Sequence, residues 1–149
     1  MKKETRLYNV IFPVWTLILF PATWLIAIPA NFIIDSLVIL LCIHFLKIED
    51  KKDFYRKTIL WVVAFGFLSD ILGSIYMTAN LVLEVVDNPD SPLVTIPGVL
   101  IAGLLIFVFN YYFTLKNYDK NIRFKVALTL AIATAPYTFF IPTRLIYGY

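Results

Sequence analysis

One cysteine and one histidine occur in 149 residues. Cys42 therefore has no intrachain partner for a disulfide. His44 and Cys42 alone cannot make a His/Cys zinc site, and one histidine cannot supply bis-histidine haem ligation. Glycine is scarce too, at five residues. Neither G-x-x-x-x-G-K-S/T nor G-x-G-x-x-G occurs, so nucleotide binding has no motif behind it. H-E-x-x-H and G-x-S-x-G are missing as well, which leaves metalloprotease and serine-hydrolase chemistry unsupported. No cofactor and no metal is expected. Linkers, low-complexity stretches and repeats of 20–50 residues are also missing, so residues 1–149 read as one domain.

Charge is the other scarcity. Only 15% of residues are charged, 60% are hydrophobic, and the mean hydropathy is +0.81. A soluble domain cannot hide that much apolar surface. Several runs reach the roughly 20 residues that a helix needs to cross a bilayer. The expected fold class is all-α, a polytopic transmembrane bundle, and the lipid bilayer is the first expected partner.

The charges that remain are ordered. Twelve of thirteen Lys and Arg fall into three clusters. Lys2, Lys3 and Arg6 open the chain. Lys47, Lys51, Lys52, Arg56 and Lys57 form the second cluster, and Lys116, Lys120, Arg123 and Lys125 the third. Arg144 stands apart. Basic residues gather on the cytoplasmic side of membrane proteins. The net charge of +3 is thus read as the flanks of membrane spans, and no nucleic-acid partner is expected. The pattern predicts five spans, at about 8–28, 30–46, 58–86, 93–115 and 126–146, with the N-terminus cytoplasmic and the C-terminus outside. Residues 10–46 read as two spans in a tight hairpin turning at Pro29-Ala30-Asn31, or as a re-entrant hairpin. The apolar run after Arg6 outlasts a signal-peptide core, so an uncleaved first span is expected.

Charge inside a span needs a reason. Asp35, Asp70, Glu84 and Arg144 are the exceptions, with Asn31, Asn80 and Asn110 as weaker ones. At 1.5 Å per residue, Asp70 lies about 18 Å beyond Thr58, deep in its span. Gly66, Asp70, Gly73, Met77, Asn80 and Glu84 repeat at spacings of four and three, so they share one small, acidic face. That face should point into the bundle. Asp35 follows Asn31 by four residues and points the same way. Arg144 is the candidate counter-ion for Asp35, Asp70 or Glu84. Each carboxylate also admits a plain reading, as a structural ion pair or a helix–helix hydrogen bond.

The segments Phe20-Pro21-Ala22-Thr23-Trp24, Pro29 through Ser36 and Thr134-Ala135-Pro136-Tyr137 resemble those of a group of small, uncharacterised polytopic membrane proteins of low-GC Gram-positive bacteria. The resemblance implies a multi-pass protein of a bacterial plasma membrane and no particular activity. In span count alone the chain is similar to the tryptophan-rich translocator family, whose motifs are not matched and whose orientation is opposite.

Two functions compete. The first is a small cation- or proton-linked transporter or channel-like protein, with Asp35, Asp70, Asn31, Asn80 and Ser69 as ion- or substrate-binding candidates. At this chain length it implies a homo-oligomer. The second is a non-catalytic subunit or scaffold that meets a membrane-complex partner through the small-residue faces Ser69/Gly73 and Ala127/Ala131/Ala135. An enzyme is not expected: an Asp general base acting on lipid would need a second catalytic group at a defined spacing, and none is apparent.

Overall fold

A computed structural model describes residues 14–85, 87–88, 90–143 and 145. They form four α-helices and no strand: α1 (Pro21–Phe45), α2 (Lys51–Val82), α3 (Pro92–Phe109) and α4 (Lys120–Ala133). Short 3-10 segments at Val14–Leu19 and Tyr137–Phe140 flank this set, and α3 widens into a π-helical turn at Asn110–Thr114. α1, α2 and α3 with its π turn are long and apolar enough to cross a membrane. α4 has only 14 residues. Large apolar side chains cover the outside of the bundle. On α1, Leu25 is 82% and Ile26 77% exposed, as suits a helix bathed in hydrocarbon.

The helix ends are set locally. Pro21 opens α1 and Pro92 opens α3, where a missing N–H costs nothing. Ser91 caps α3 by accepting from the Leu93 N–H, and Asp119 caps α4 by accepting from the Asn121 N–H at 3.2 Å.

The hairpin expected at Pro29-Ala30-Asn31 does not form. Pro29 lies inside α1, which runs unbroken for 25 residues. Spans 30–46 and the second half of 8–28 are therefore one helix. The bend in this region falls earlier, at Phe20. There the Trp24 ring N–H donates to the Ile18 carbonyl at 2.8 Å, and the Thr23 hydroxyl to the carbonyls of Leu17 and Phe20. The span expected at 126–146 is also interrupted. α4 starts earlier, at Lys120, and ends at Ala133; Thr134 to Pro136 leave the helix before the second 3-10 segment begins.

Two cores result. One joins Ile39, Cys42, Phe54, Val62, Ile106 and Leu130 near the basic loops. The other joins Trp15, Met77, Val94, Val99 and Phe139 toward the opposite end. Along α2, Gly66 and Asp70 fall between them. α2 and α3 approach closely at Gly73. A Cβ there would lie 3.0 Å from the Gly98 carbonyl and 3.1 Å from the Ala102 Cβ.

Gly73→Ala is expected to lower stability by about 1–3 kcal/mol, because backbone cannot give way as a side-chain tip can. Gly103→Ala is the control. Its Cβ meets the Ala131 carbonyl at 3.6 Å, an ordinary contact, so its melting temperature should stay level or rise slightly. Thermal unfolding of both variants in mild detergent checks the pair.

Candidate functional site

The faces predicted for α1 and α2 meet. Gly66, Asp70, Gly73 and Met77 are all buried, as their spacing requires. Asn31 and Asp35 face them from α1. Asp35 is 3% exposed and Asp70 7%. Gly66 lies beside the pair, and a Cβ at this position would meet Asp35 Oδ2 at an ordinary 3.6 Å. The Asn31 side chain lies against the Asp70 carboxyl.

A cavity of about 210 Å³ opens at this point. Asn31, Asp35, Gly66 and Asp70 form its polar wall. The other wall is the broken end of α4, from Ala133 to Thr138. The break is held by local bonds. The Thr134 hydroxyl and N–H both donate to the Leu130 carbonyl, and the Tyr137 hydroxyl donates to the Ile132 carbonyl. A helix C-terminus carries partial negative charge. The cavity thus gathers two carboxyl groups and a helix C-terminus, and no basic side chain among the described residues lines it.

Nothing described neutralises these carboxyls. The ion pair among the described residues is Lys57–Asp53, 2.8 Å apart on the helix surface by the basic loop. Asp70 Oδ1 is buried and has no hydrogen-bond partner among those residues. Arg144, the counter-ion expected from the sequence, lies outside the described residues.

The remaining candidates separate from the site. Ser69 is fully buried, but its hydroxyl donates to the Phe65 carbonyl at 2.6 Å and is not in the cavity wall. Asn80 lies ten residues beyond Asp70, roughly 15 Å along the helix, and its amide donates to the Tyr76 carbonyl at 2.8 Å. Glu84 is exposed past the end of α2, with φ 52°. Asn110 serves the π turn, donating to the Ile106 carbonyl and accepting from the Thr114 hydroxyl.

The small-residue faces expected to meet a partner are used inside the chain. Ser69, Gly73 and Ala127 are buried, and Ala131 and Ala135 flank Gly103 of α3. Reasoning from sequence also passed over Ile34, Thr134 and Thr138 of the cavity wall, and it passed over a clamp. Asp90, from the loop before α3, accepts from the Thr143 N–H at 2.9 Å and from its hydroxyl at 2.8 Å. The clamp spans 53 positions of chain, and no local pattern announces it. No protein-family model matches the chain, and neither does any curated protein or solved structure.

Two expectations follow. Asp70→Asn keeps the shape and removes one of two buried acids that repel each other when ionised, so the ligand-free variant should melt level with wild type or higher at neutral pH, by up to about 1 kcal/mol. A lower melting temperature would mean that Asp70 is held by a cationic group. Thr143→Val removes the hydroxyl bond to Asp90 and should cost about 0.5–1.5 kcal/mol, read by thermal unfolding beside Asp90→Asn.

Proposed function

We propose that the chain is a multi-pass protein of a bacterial plasma membrane that binds a monovalent cation, in exchange with protons, at Asp35 and Asp70. The observation that carries this reading is the pair of buried carboxyl groups sharing a cavity with the end of a broken helix and, among the described residues, with no basic side chain. Two carboxylates in such a place repel each other unless a proton or a cation sits with them. Broken helices with C-terminal ends at a mid-membrane cavity are a recurring way to hold Na⁺ or H⁺. Asn31 and Thr134 add neutral oxygens to the set.

The topology belongs to the same proposal. The loops carrying Lys47–Lys57 and Lys116–Lys125 lie in the cytoplasm, and the Asp87–Asp90 loop lies outside. α1, α2 and α3 cross fully. α4 and the 3-10 segment after it make a fourth, broken passage, supported by the bond between Thr143 and the outer Asp90. With four passages, Pro21, at the start of α1, and Thr143 both lie on the outer side; the cytoplasmic N-terminus expected from Lys2, Lys3 and Arg6 falls outside the described residues. At this size a homo-oligomer is the working assembly. The alternative, a scaffold subunit held by a membrane-complex partner, loses its main support because the small-residue faces are spent within the chain.

The test is proton movement in proteoliposomes holding a trapped pH dye, driven in turn by inward Na⁺, K⁺ and Li⁺ gradients. Wild type should show cation-driven alkalinisation or acidification above that of protein-free vesicles. Asp35→Asn and Asp70→Asn should each fall at least tenfold, a loss of about 1.4 kcal/mol or more. Equal rates in folded wild type and variants would overturn the reading.

A further inference from the structure

The cavity is larger than a bare alkali ion needs. At about 210 Å³ it holds roughly seven water-sized volumes at about 30 Å³ each. A dehydrated metal ion asks for a close shell of oxygens on all sides. Here the carboxylate and amide oxygens lie on one wall, at Asn31, Asp35 and Asp70, while the Thr134 and Tyr137 hydroxyls of the facing wall already donate within the chain. Ile34, Ala133, Ala135 and Pro136 make most of the rest apolar. Among the described residues there is also no group of three or more His, Cys, Asp or Glu able to hold a metal.

The way in points to the same class of ligand. Ile34 is 47% and Tyr137 52% exposed, and Ala133 is exposed beside them. These residues belong to α1 on one side and to the end of α4 on the other. Among the described residues, the mouth therefore opens sideways through the apolar flank of the bundle, at the depth of Asp70. A ligand arriving there comes from the bilayer, where alkali ions do not partition and an amphipathic cation does.

We propose that the site takes a small organic ammonium ion, its charged head on Asp35 and Asp70 and its hydrocarbon part against Ile34 and Ala133, entering between α1 and α4. This inference rests on the cation-binding reading above and names its ligand. The unpartnered Asp70 Oδ1 receives an ammonium N–H. One carboxylate balances the head's charge while the other keeps its proton, so binding displaces one proton, and the apolar wall sets the length of chain accepted. About seven non-hydrogen atoms fill the volume.

The test is thermal unfolding of the full chain in mild detergent at constant ionic strength. The probes are methylammonium, butylammonium, hexylammonium, sodium, potassium and lithium chlorides, with butanol as the uncharged control. A ligand that binds the folded state alone raises the melting temperature by mass action. Butylammonium and hexylammonium should give saturable rises larger than that of methylammonium. Asp70→Asn should lose them while remaining folded. Ala133→Leu changes an exposed position and should move the preference from hexylammonium toward methylammonium. A saturable rise with an alkali ion alone, lost in Asp70→Asn, overturns the organic ligand and leaves the cation site standing. A butanol effect equal to that of butylammonium overturns it too. No response to any probe, together with no cation-driven proton movement in vesicles, sinks both readings.

Discussion

A polar group with no hydrogen-bond partner costs several kcal/mol in hydrocarbon. Most of this fold follows from meeting that demand within the chain. Thr58, Ser69, Thr78, Thr95 and Thr134 each turn a hydroxyl back onto the carbonyl four residues earlier. Asn110 does the same with its amide, where the π turn loosens the regular ladder. Thr23 and Trp24 cover the end of the first 3-10 segment. Irregular backbone at depth is tolerated where it is buried in protein or lines a cavity. The stretch after Ala133 meets that condition by forming one wall of the site.

The same demand explains what the sequence could and could not disclose. The buried face of α2 was legible, because a period near 3.6 in small and acidic residues is a local signal. It holds for Gly66, Asp70, Gly73 and Met77 and fails at Glu84, which passes the helix end. The pairing of Asn31 with Asp35 was legible for the same reason. The prolines were not. Pro29 and Pro136 carry the same local signal, yet Pro29 is absorbed into α1 while the chain has left α4 before Pro136. A proline inside a helix leaves one carbonyl unbonded, whereas stopping there would strand a whole turn of backbone. Near Pro136, the Thr134 and Tyr137 hydroxyls cover carbonyls of the last turn of α4. Local hydroxyls beside Pro136 distinguish two similar signals.

Partners far apart in sequence were the other blind spot. Asp90 reads as one acid in a turn-rich outer loop, and Thr143 as one hydroxyl after a proline. Their two bonds tie the segment beyond Pro136 to the loop that opens α3. The small-residue faces were legible as close-approach surfaces, but which helix fills them was not. Gly73 receives α3 of the same chain, and this moves the weight of interpretation from a partner protein to the cavity.

Alternating access needs one wall of a site to move against the others. α1 and α2 are long continuous helices packed along their length, and α2 is locked to α3 at Gly73 and Gly98. Moving either would break extensive close packing. The wall from Ala133 to Thr138 differs. It is a short irregular stretch, fixed at one end by the bonds on Leu130 and Ile132 and beyond its other end by Asp90. Side-chain hydrogen bonds of this kind have a net worth of about 1 kcal/mol each, so the segment is the least costly part of the site to displace. Asp35 and Asp70 remain on the fixed wall. In the proposed function, a cation bound to them would meet this displaceable wall across the cavity, which would couple the occupancy of the site to its access.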